Sequence, residues 1–306
     1  MQKTLIILLG PTGVGKTELS LSLAERFNSE IISCDSRQIY REMKIGTAAP
    51  SEDQMKRVKH HFIGCIDISS YYSCGRFEND ALAVCNELFL HSDVALMTGG
   101  SMLYIDAICK GIDDLPEVDQ QLRDQLWKRY AEDGIEQLSQ ELKVLDPDYY
   151  DKIDKKNYKR IIHALEICLS TGQTYTALRK ETAKARPFNI LKIGLTRPRE
   201  ELYDRINQRV DQMMKDGLLD EAKKLYPQRE LNALNTVGYK ELFNYFDGNW
   251  TLDYAISMIK QDSRRYAKKQ MTWFRRDPAI MWFYPSQKDE IEDYIDSQLG
   301  QTANTL

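Results

Sequence analysis

Residues 4–17 read Thr4-Leu5-Ile6-Ile7-Leu8-Leu9-Gly10-Pro11-Thr12-Gly13-Val14-Gly15-Lys16-Thr17. An unbroken apolar run that ends on a glycine fits a strand buried on both faces. The eight residues after it complete the pattern G-x-x-x-x-G-K-[ST], and a helical pattern continues from Glu18 to Phe27. Strand, glycine-rich loop and helix in that order build a phosphate cradle. Glycines permit positive φ, so successive N–H groups can turn inward on one anion. The helix adds the positive end of its dipole. Within Gly10, Pro11, Thr12, Gly13, Val14, Gly15, Lys16 and Thr17, the lysine supplies a mobile charge and the Thr17 hydroxyl a ligand for Mg²⁺. The competing reading is a glycine-rich strand-to-helix turn with an idle lysine. The loop recognises linked phosphates without saying whose they are.

Outward from this loop, β-branched apolar runs recur at Glu30–Cys34, His61–Ile66, Val94–Met97, Leu191–Leu195 and Ile280–Tyr284, with helical patterns such as Gly75–Leu90 between the early ones. This alternation predicts an α/β fold, a P-loop parallel sheet with helices on both faces. It stops between Leu115 and Arg186. There Leu122, Leu126 and Tyr130, then Leu138, Leu142 and Leu145, then Ile161, Leu165 and Leu169 fall at helical spacing, with Gly172 as a stop. The expected organisation is therefore a catalytic core of residues 1–114 and 187–306, with C-terminal helices over about Glu200–Phe274, interrupted by a helical insertion domain at 115–186. The polar tail beyond Ser297 is expected to fray.

At 306 residues, with 42% hydrophobic and 29% charged residues, the composition is that of an ordinary globular protein. No apolar run approaches the ~20 residues of a membrane helix, and the run after Lys3 is too short for a secretory leader. The six cysteines show no C-x-x-C pair and no metal-like grouping with the four histidines, so reduced thiols and a cytoplasmic location are expected. A net charge of −4 speaks against nucleic acid as a global partner and confines any such contact to local patches. The insertion is uneven in charge: residues 111–153 carry twelve acids and five bases, residues 154–187 three acids and eight bases. Lys155, Lys156, Lys159 and Arg160 lie within two turns and either form a solvated face or follow a phosphate backbone.

Four segments carry chemistry. The second strand delivers Asp35-Ser36-Arg37-Gln38 to the carboxyl edge of the sheet, where ligands bind. There Asp35 is a general base, a magnesium ligand or a cap. The fourth strand ends in Thr98-Gly99-Gly100-Ser101, without the acid that nucleotide hydrolases place at such an end. Its glycines are expected to let a ligand approach the backbone. Arg205 and Arg209 are spaced i, i+4 and either clamp a pyrophosphate or pair with Glu201 and Asp204. Arg264 to Arg276 holds six bases and no acid, interleaved with Tyr266, Trp273 and Phe274. Two rows are expected along one helix, Arg264, Lys268, Arg275 and Arg265, Lys269, Arg276, as an RNA contact or a merely soluble face.

Together these segments resemble the bacterial tRNA dimethylallyltransferases, the isopentenyl-tRNA transferase family. The resemblance is carried by Gly10–Thr17, Asp35-Ser36-x-Gln38-x-Tyr40, and His60-His61 before Ile66-Asp67-Ile68. It continues through Gly99-Gly100-Ser101-x-Leu103-Tyr104, Leu202-x-x-Arg205-Ile206-x-x-Arg209, Val237-Gly238-Tyr239-Lys240-Glu241 and Arg265-x-Ala267-Lys268-x-Gln270-x-x-Trp273. It spans nearly the whole chain in order. Ser101 departs from it, standing where the family pattern has Thr; the hydroxyl is kept.

The resemblance implies transfer of a dimethylallyl group from dimethylallyl diphosphate to the exocyclic N6 amine of the adenosine 3′-adjacent to the tRNA anticodon. The product would be N6-dimethylallyladenosine in tRNAs reading codons that begin with U. It implies Asp35 as base, with Thr12, Lys16, Thr17, Mg²⁺ and Arg209 on the pyrophosphate and Arg205 as the second-choice arginine. Asp35, Ser36, Arg37, Gln38 and Ser101 would meet the RNA from the core. Arg123, Lys159, Arg160 and His163 would do so from the insertion, clamped on the anticodon stem-loop. Val237, Gly238, Tyr239 and Lys240, then Arg265, Lys268, Lys269 and Arg276, complete the expected RNA-facing set. The expected protein is a cytoplasmic monomer. Rival readings are a prenyltransferase acting on AMP or ADP, a small-molecule P-loop kinase, and a non-catalytic RNA-binding switch.

Overall fold

The computed structural model describes residues 2–113, 115–116, 119–180 and 183–303. It divides into two compact units, Met1–Cys109 with Ala185–Leu306, and Lys110–Lys184. In chain order the first unit begins with β1 (Thr4–Leu9), α1 (Lys16–Arg26), β2 (Ile31–Cys34), α2 (Glu52–Arg57), β3 (His60–His61), α3 (Cys74–Leu88), β4 (Val94–Gly99) and α4 (Met102–Lys110). The second unit contains α5 (Gln120–Asp133), α6 (Ile135–Leu145), α7 (Pro147–Lys152), α8 (Tyr158–Thr171) and α9 (Tyr175–Leu178). The first unit then resumes with β5 (Asn189–Leu195), α10 (Arg199–Lys215), α11 (Leu218–Leu225), α12 (Tyr239–Phe246), α13 (Leu252–Phe274), β6 (Ile280–Phe283) and α14 (Lys288–Ala303).

All pairings in the six-stranded sheet are parallel, in the order β3-β2-β4-β1-β5-β6. β1 is central, with Thr4 opposite Val94 on one side and Asn189 on the other. Its side chains alternate between two cores. Ile6 and Leu8 pack with Leu21 and Leu23 of α1, Ile206 of α10 and Ile291 of α14. Leu5, Ile7 and Leu9 pack with Phe77 and Ala81 of α3 and Ile108 of α4. Helices on both faces explain why the sequence shows an unbroken apolar run instead of alternation. Each of the buried Leu, Ile and Phe side chains among these contributes about 1.5–3 kcal/mol. A third core joins Ile39, Tyr40 and Met43, just after β2, to α11, α12 and the first half of α13.

The sheet departs from expectation at one edge. The strand expected over His61–Ile66 is only His60–His61, because Phe62 (φ 63°) and Gly64 (φ 55°) turn the chain. Ile66 makes an isolated bridge to Tyr40 instead. The tail also differs: α14 continues to Ala303, anchored by Ile291 and Ile295, both fully buried. Residues 304–306 of that tail lie outside the described residues. All six cysteines are free thiols. Among the described residues no helix is long and apolar enough to cross a membrane.

The second unit has its own core, built from Leu126, Leu138, Leu142, Ile161, Leu165 and neighbours. Buried Asp146 caps α7 through the Tyr149 N–H (3.0 Å) and accepts from the Thr176 N–H (2.7 Å) and hydroxyl (2.9 Å), which ties α9 to it.

Candidate active site

The loop between β1 and α1 is built by backbone constraint. Gly13 has φ 80°, and a Cβ there would lie 2.9 Å from Ile206 of α10. Lys16 folds over the loop, its Nζ donating to the carbonyls of Gly10 (2.9 Å) and Pro11 (3.0 Å). Burial, and then repulsion from Arg209, lower its pKa to about 8, against the opposing pull of Asp35. The same withdrawal from solvent lowers Arg209, again opposed by Asp35. Two buried cations whose charge is destabilised by burial make the lining of this loop favourable for an anion.

Three arginines reach successive residues of this loop. Arg209 Nη1 lies 3.4 Å from the Thr12 hydroxyl, Arg205 Nε donates to the Gly13 carbonyl (3.0 Å), and Arg197 Nε donates to the Val14 carbonyl (2.7 Å). The i, i+4 pair is thus divided in role. Arg205 steadies the outer side of the loop, and Arg209 sits inward. Glu201 pairs with Arg197, not with Arg205. Sequence reasoning missed Arg197. Its place two residues beyond β5, at the carboxyl edge of the sheet, is the signal that could have found it.

Asp35 follows β2. Its Oδ1 accepts the N–H groups of Arg37 (2.9 Å) and Gln38 (3.3 Å), a side-chain turn that leaves Oδ2 for other work. The Ser36 N–H donates to Ser101 Oγ at 2.8 Å, and Ser101 Oγ donates to Ser36 Oγ at 3.2 Å. Ser101 is buried. Gln38 spans to the carbonyls of Thr47 and Ala48, both at 3.1 Å. Ser36, Gln38 and Ser101 therefore shape the turn around Asp35.

Gly99 and Gly100 are also required by the packing of the protein itself. A Cβ on Gly99 would lie 2.5 Å from the Cys34 carbonyl, and one on Gly100 would lie 2.4 Å from Gln270 Nε2. Protein groups therefore exclude a side chain at either position, and both glycines line the cavity beside the loop.

Two cavities open from this centre. The first, about 1090 Å³, is lined by Thr12, Gly13, Gly15, Lys16 and Thr17 with Asp35, Arg197, Arg205, Arg209 and Gln270. The second, about 520 Å³, is lined by Asp35, Ser36 and Arg37 with Met213, Val237, Gly238, Lys240, Ser263 and Lys269. Thr12, Asp35, Thr47, Arg209 and Tyr266 line both. Tyr266, Thr47 and Gln270 were not singled out as site residues from sequence. Their contribution arises only when α13 and the loop after β2 meet the glycine-rich loop.

The structure does not bring all expected RNA-facing residues to a surface. Tyr239 is fully buried, and its hydroxyl donates to Glu221 Oε1 at 2.7 Å. Glu221 also accepts the N–H groups of Lys44, Ile45 and Gly46 at 3.0, 2.8 and 2.9 Å. Tyr239 thus supports the loop beside the second cavity and cannot face RNA. The two basic rows on α13 are also shorter than expected, because the helix ends at Phe274. Arg275 and Arg276 follow that end, and the Arg276 guanidinium lies 5.4 Å from the Trp273 ring centroid. Arg264 turns inward to Asn207 Oδ1 (2.5 Å), while Arg265 pairs with Asp262 (2.9 Å). Lys268 and Lys269 stay exposed.

In the second unit, Arg123 Nε donates to buried Glu166 at 3.0 Å, joining α5 to α8. Burial pushes Glu166 up, but His163 and Arg123 outweigh it and hold its pKa below the usual carboxylate value. Lys159 and Arg160 are exposed in the first turn of α8, and His163 is half-buried one turn later.

Among the described residues no group of three or more His, Cys, Asp or Glu could hold a metal unaided. The Thr17 hydroxyl at the loop suits Mg²⁺ when a bound diphosphate supplies further oxygens.

The IPP transferase family model matches residues 38–277. The chain is 60% identical to tRNA dimethylallyltransferase 1 of Phocaeicola vulgatus, over 97% of this chain and 99% of that protein. Among solved structures it is similar to the tRNA isopentenylpyrophosphate transferase of Bacillus halodurans, with TM-score 0.72, 38% identity and 99% of each chain covered. It is also similar to a eukaryotic dimethylallyltransferase acting on tRNA, with TM-score 0.79, 26% identity, and 96% of this chain and 80% of that one covered.

Proposed function

This chain belongs to the IPP transferase family, and from that premise we propose that its two cavities are the two substrate entrances of one prenyl transfer. The enzyme is a transferase that modifies tRNA. The donor, dimethylallyl diphosphate, lies in the first cavity with its phosphates in the loop Gly10–Thr17, beneath Lys16 and Arg209. The acceptor adenosine, beside the anticodon and turned out of its stack, enters the second. Its N6 lone pair forms a bond to the allylic carbon, the carbon–oxygen bond to diphosphate breaks, and the departing oxygen takes the bonding pair. Asp35 takes the N6 proton. Thr12, Lys16 and Arg209 meet the charge that grows on the leaving group.

One observation carries this reading: Asp35, Thr12 and Arg209 line both cavities. A base and a leaving-group clamp at the junction of two separate openings suit a reaction between two bulky partners. Mg²⁺ held by Thr17 and the diphosphate would neutralise further charge there. Lys268, Lys269 and Lys240 would follow the RNA backbone near the second opening, and Lys159 and Arg160 would serve the insertion's part as a clamp on the anticodon stem. We place the enzyme in the cytoplasm, where its tRNA substrate is, acting as a monomer.

The test is direct. The protein is mixed with magnesium, dimethylallyl diphosphate and unmodified tRNA, and the nucleosides are weighed. One five-carbon unit gained on an adenosine supports the reading. In parallel mixtures with ATP or AMP in place of tRNA, phosphate transfer from ATP or prenylation of free AMP would replace it, as would tRNA binding without product in the first mixture.

A further inference from the structure

Gln270 projects from the inner face of α13 and is 2% exposed. Both ends of its carboxamide are used. The Thr12 N–H donates to its Oε1 at 3.0 Å, and its Nε2 donates to the Gly100 carbonyl at 2.8 Å. The orientation is fixed by the partners, since an N–H needs an acceptor and a carbonyl needs a donor. One partner is the residue whose hydroxyl faces Arg209. The other precedes Ser101, whose Oγ accepts from the Ser36 N–H beside Asp35 and whose own N–H donates to the Cys34 carbonyl at 3.2 Å. A single side chain therefore connects the segment that holds the leaving group to the segment that holds the base. A Cβ on Gly100 would lie 2.4 Å from Nε2, too close for the carboxamide to stay in place.

We propose that Gln270 is a positioning residue for the transfer, whose two-ended carboxamide holds the Thr12 loop and the Gly100-Ser101 turn at the spacing that lets Asp35 and the diphosphate clamp act on one reaction. The inference rests on the dimethylallyl-transfer reading. It adds that this geometry is held from α13, the helix whose outer face carries Lys268 and Lys269. Displacing reacting groups by about 1 Å can cost about 10²-fold in rate. Loss of the tie should therefore lower kcat and leave tRNA recognition alone.

The experiment compares the full-length enzyme with Gln270→Met, Gln270→Glu and Gly100→Ala, reading kcat, both KM values and the thermal midpoint. Gln270→Met fills the same space without either bond. It should lose about 10²-fold in kcat, with the KM for tRNA within about threefold of the parent. Gly100→Ala should reproduce the loss with the glutamine intact, because the new methyl expels the carboxamide. Gln270→Glu keeps the acceptor for Thr12 but can donate to Gly100 only while protonated. Its rate relative to the parent should therefore recover as pH falls. Lys16, Asp35, Arg209 and Tyr266 line the same cavity and are the same in both proteins, so the ratio isolates the new carboxyl. A folded Gln270→Met enzyme with kcat within threefold of the parent, or with loss confined to KM, would overturn the proposal. If that variant does not fold, a flat variant-to-parent ratio across pH for Gln270→Glu would do so. A parent enzyme that yields no prenylated nucleoside would sink the functional reading instead, a separate outcome.

Discussion

The two cavities that meet at Asp35 are built in opposite ways. The donor side contains one contiguous stretch, Thr12–Thr17, whose glycines, lysine and threonine form a compact loop, and the rest of its wall is assembled from residues 18–25, 33–60, 98–100, 197–212 and 266–288. Arginines from the segment after β5 are added from outside. The acceptor side has no such stretch. Its wall draws on residues 35–37, 46–47, 206–213, 235–240 and 259–269, brought together by the core around α11, α12 and α13. A diphosphate presents the same few oxygens to every enzyme, so a short motif suffices. An RNA loop presents a large irregular surface, and only a large assembled surface can match it.

The contrast can be broken most sharply at the shared residue. Asp35→Asn keeps the acceptor oxygen for the Arg37 and Gln38 N–H groups, so the turn should survive while the base is lost. The rate should fall about 10²–10⁴-fold with donor and tRNA affinities within about twofold. A rate near the parent's in single-turnover measurements would take the proton from Asp35 and end the idea of a common centre.

On the donor side alone, Thr12→Ala removes the hydroxyl near Arg209. Donor affinity should drop about 10-fold with tRNA affinity and thermal midpoint unchanged. Equal loss for both substrates by calorimetry would show that the two sides are not separable.

A smaller donor-side effect follows from Lys16, whose pKa is lowered to about 8. The ammonium attracts diphosphate and the neutral amine does not. Binding favours the protonated form, so affinity is full below that value and declines as pH rises through it. Donor affinity titrated from about pH 7 to 9.5 should weaken severalfold, whereas Lys16→Met should show no such decline. A constant affinity in the parent would remove Lys16 from the phosphates.

The smallest effect belongs to the acceptor side. Exchanging Lys268 and Lys269 for alanine should flatten the salt dependence of tRNA binding by about 1.5 in log–log slope, with donor affinity unaltered. An unchanged slope would move the RNA path off α13.

Legibility followed the same division. β1 and its loop were readable because an apolar strand, glycines, a lysine and a threonine follow one another in a single short span, although Thr12, Gly13 and Val14 also meet distant residues. Asp35 was placed correctly at the strand edge, with its cap-like turn and its free oxygen coexisting. Tyr239 was misread from its motif, since a short string does not tell which member points into the core. Gly99 and Gly100 were recognised as sites of close approach, and the structure adds that Cys34 and Gln270, distant in sequence, crowd them from within the protein. The rows of bases on α13 were drawn as if the helix ran on. Arg264 and Arg265 then found partners that no periodicity reveals.

What the sequence by itself determined is the glycine-rich loop between β1 and α1, the parallel sheet and the helical insertion, because backbone conformation and a period of apolar burial are set over short spans of chain. What only the tertiary structure decided is which side chains share the reaction centre. The Thr12–Gln270 bond joins residues 258 positions apart. Such pairings are fixed by packing the whole core, where burial and hydrogen-bond satisfaction must be met together, and no local pattern encodes them.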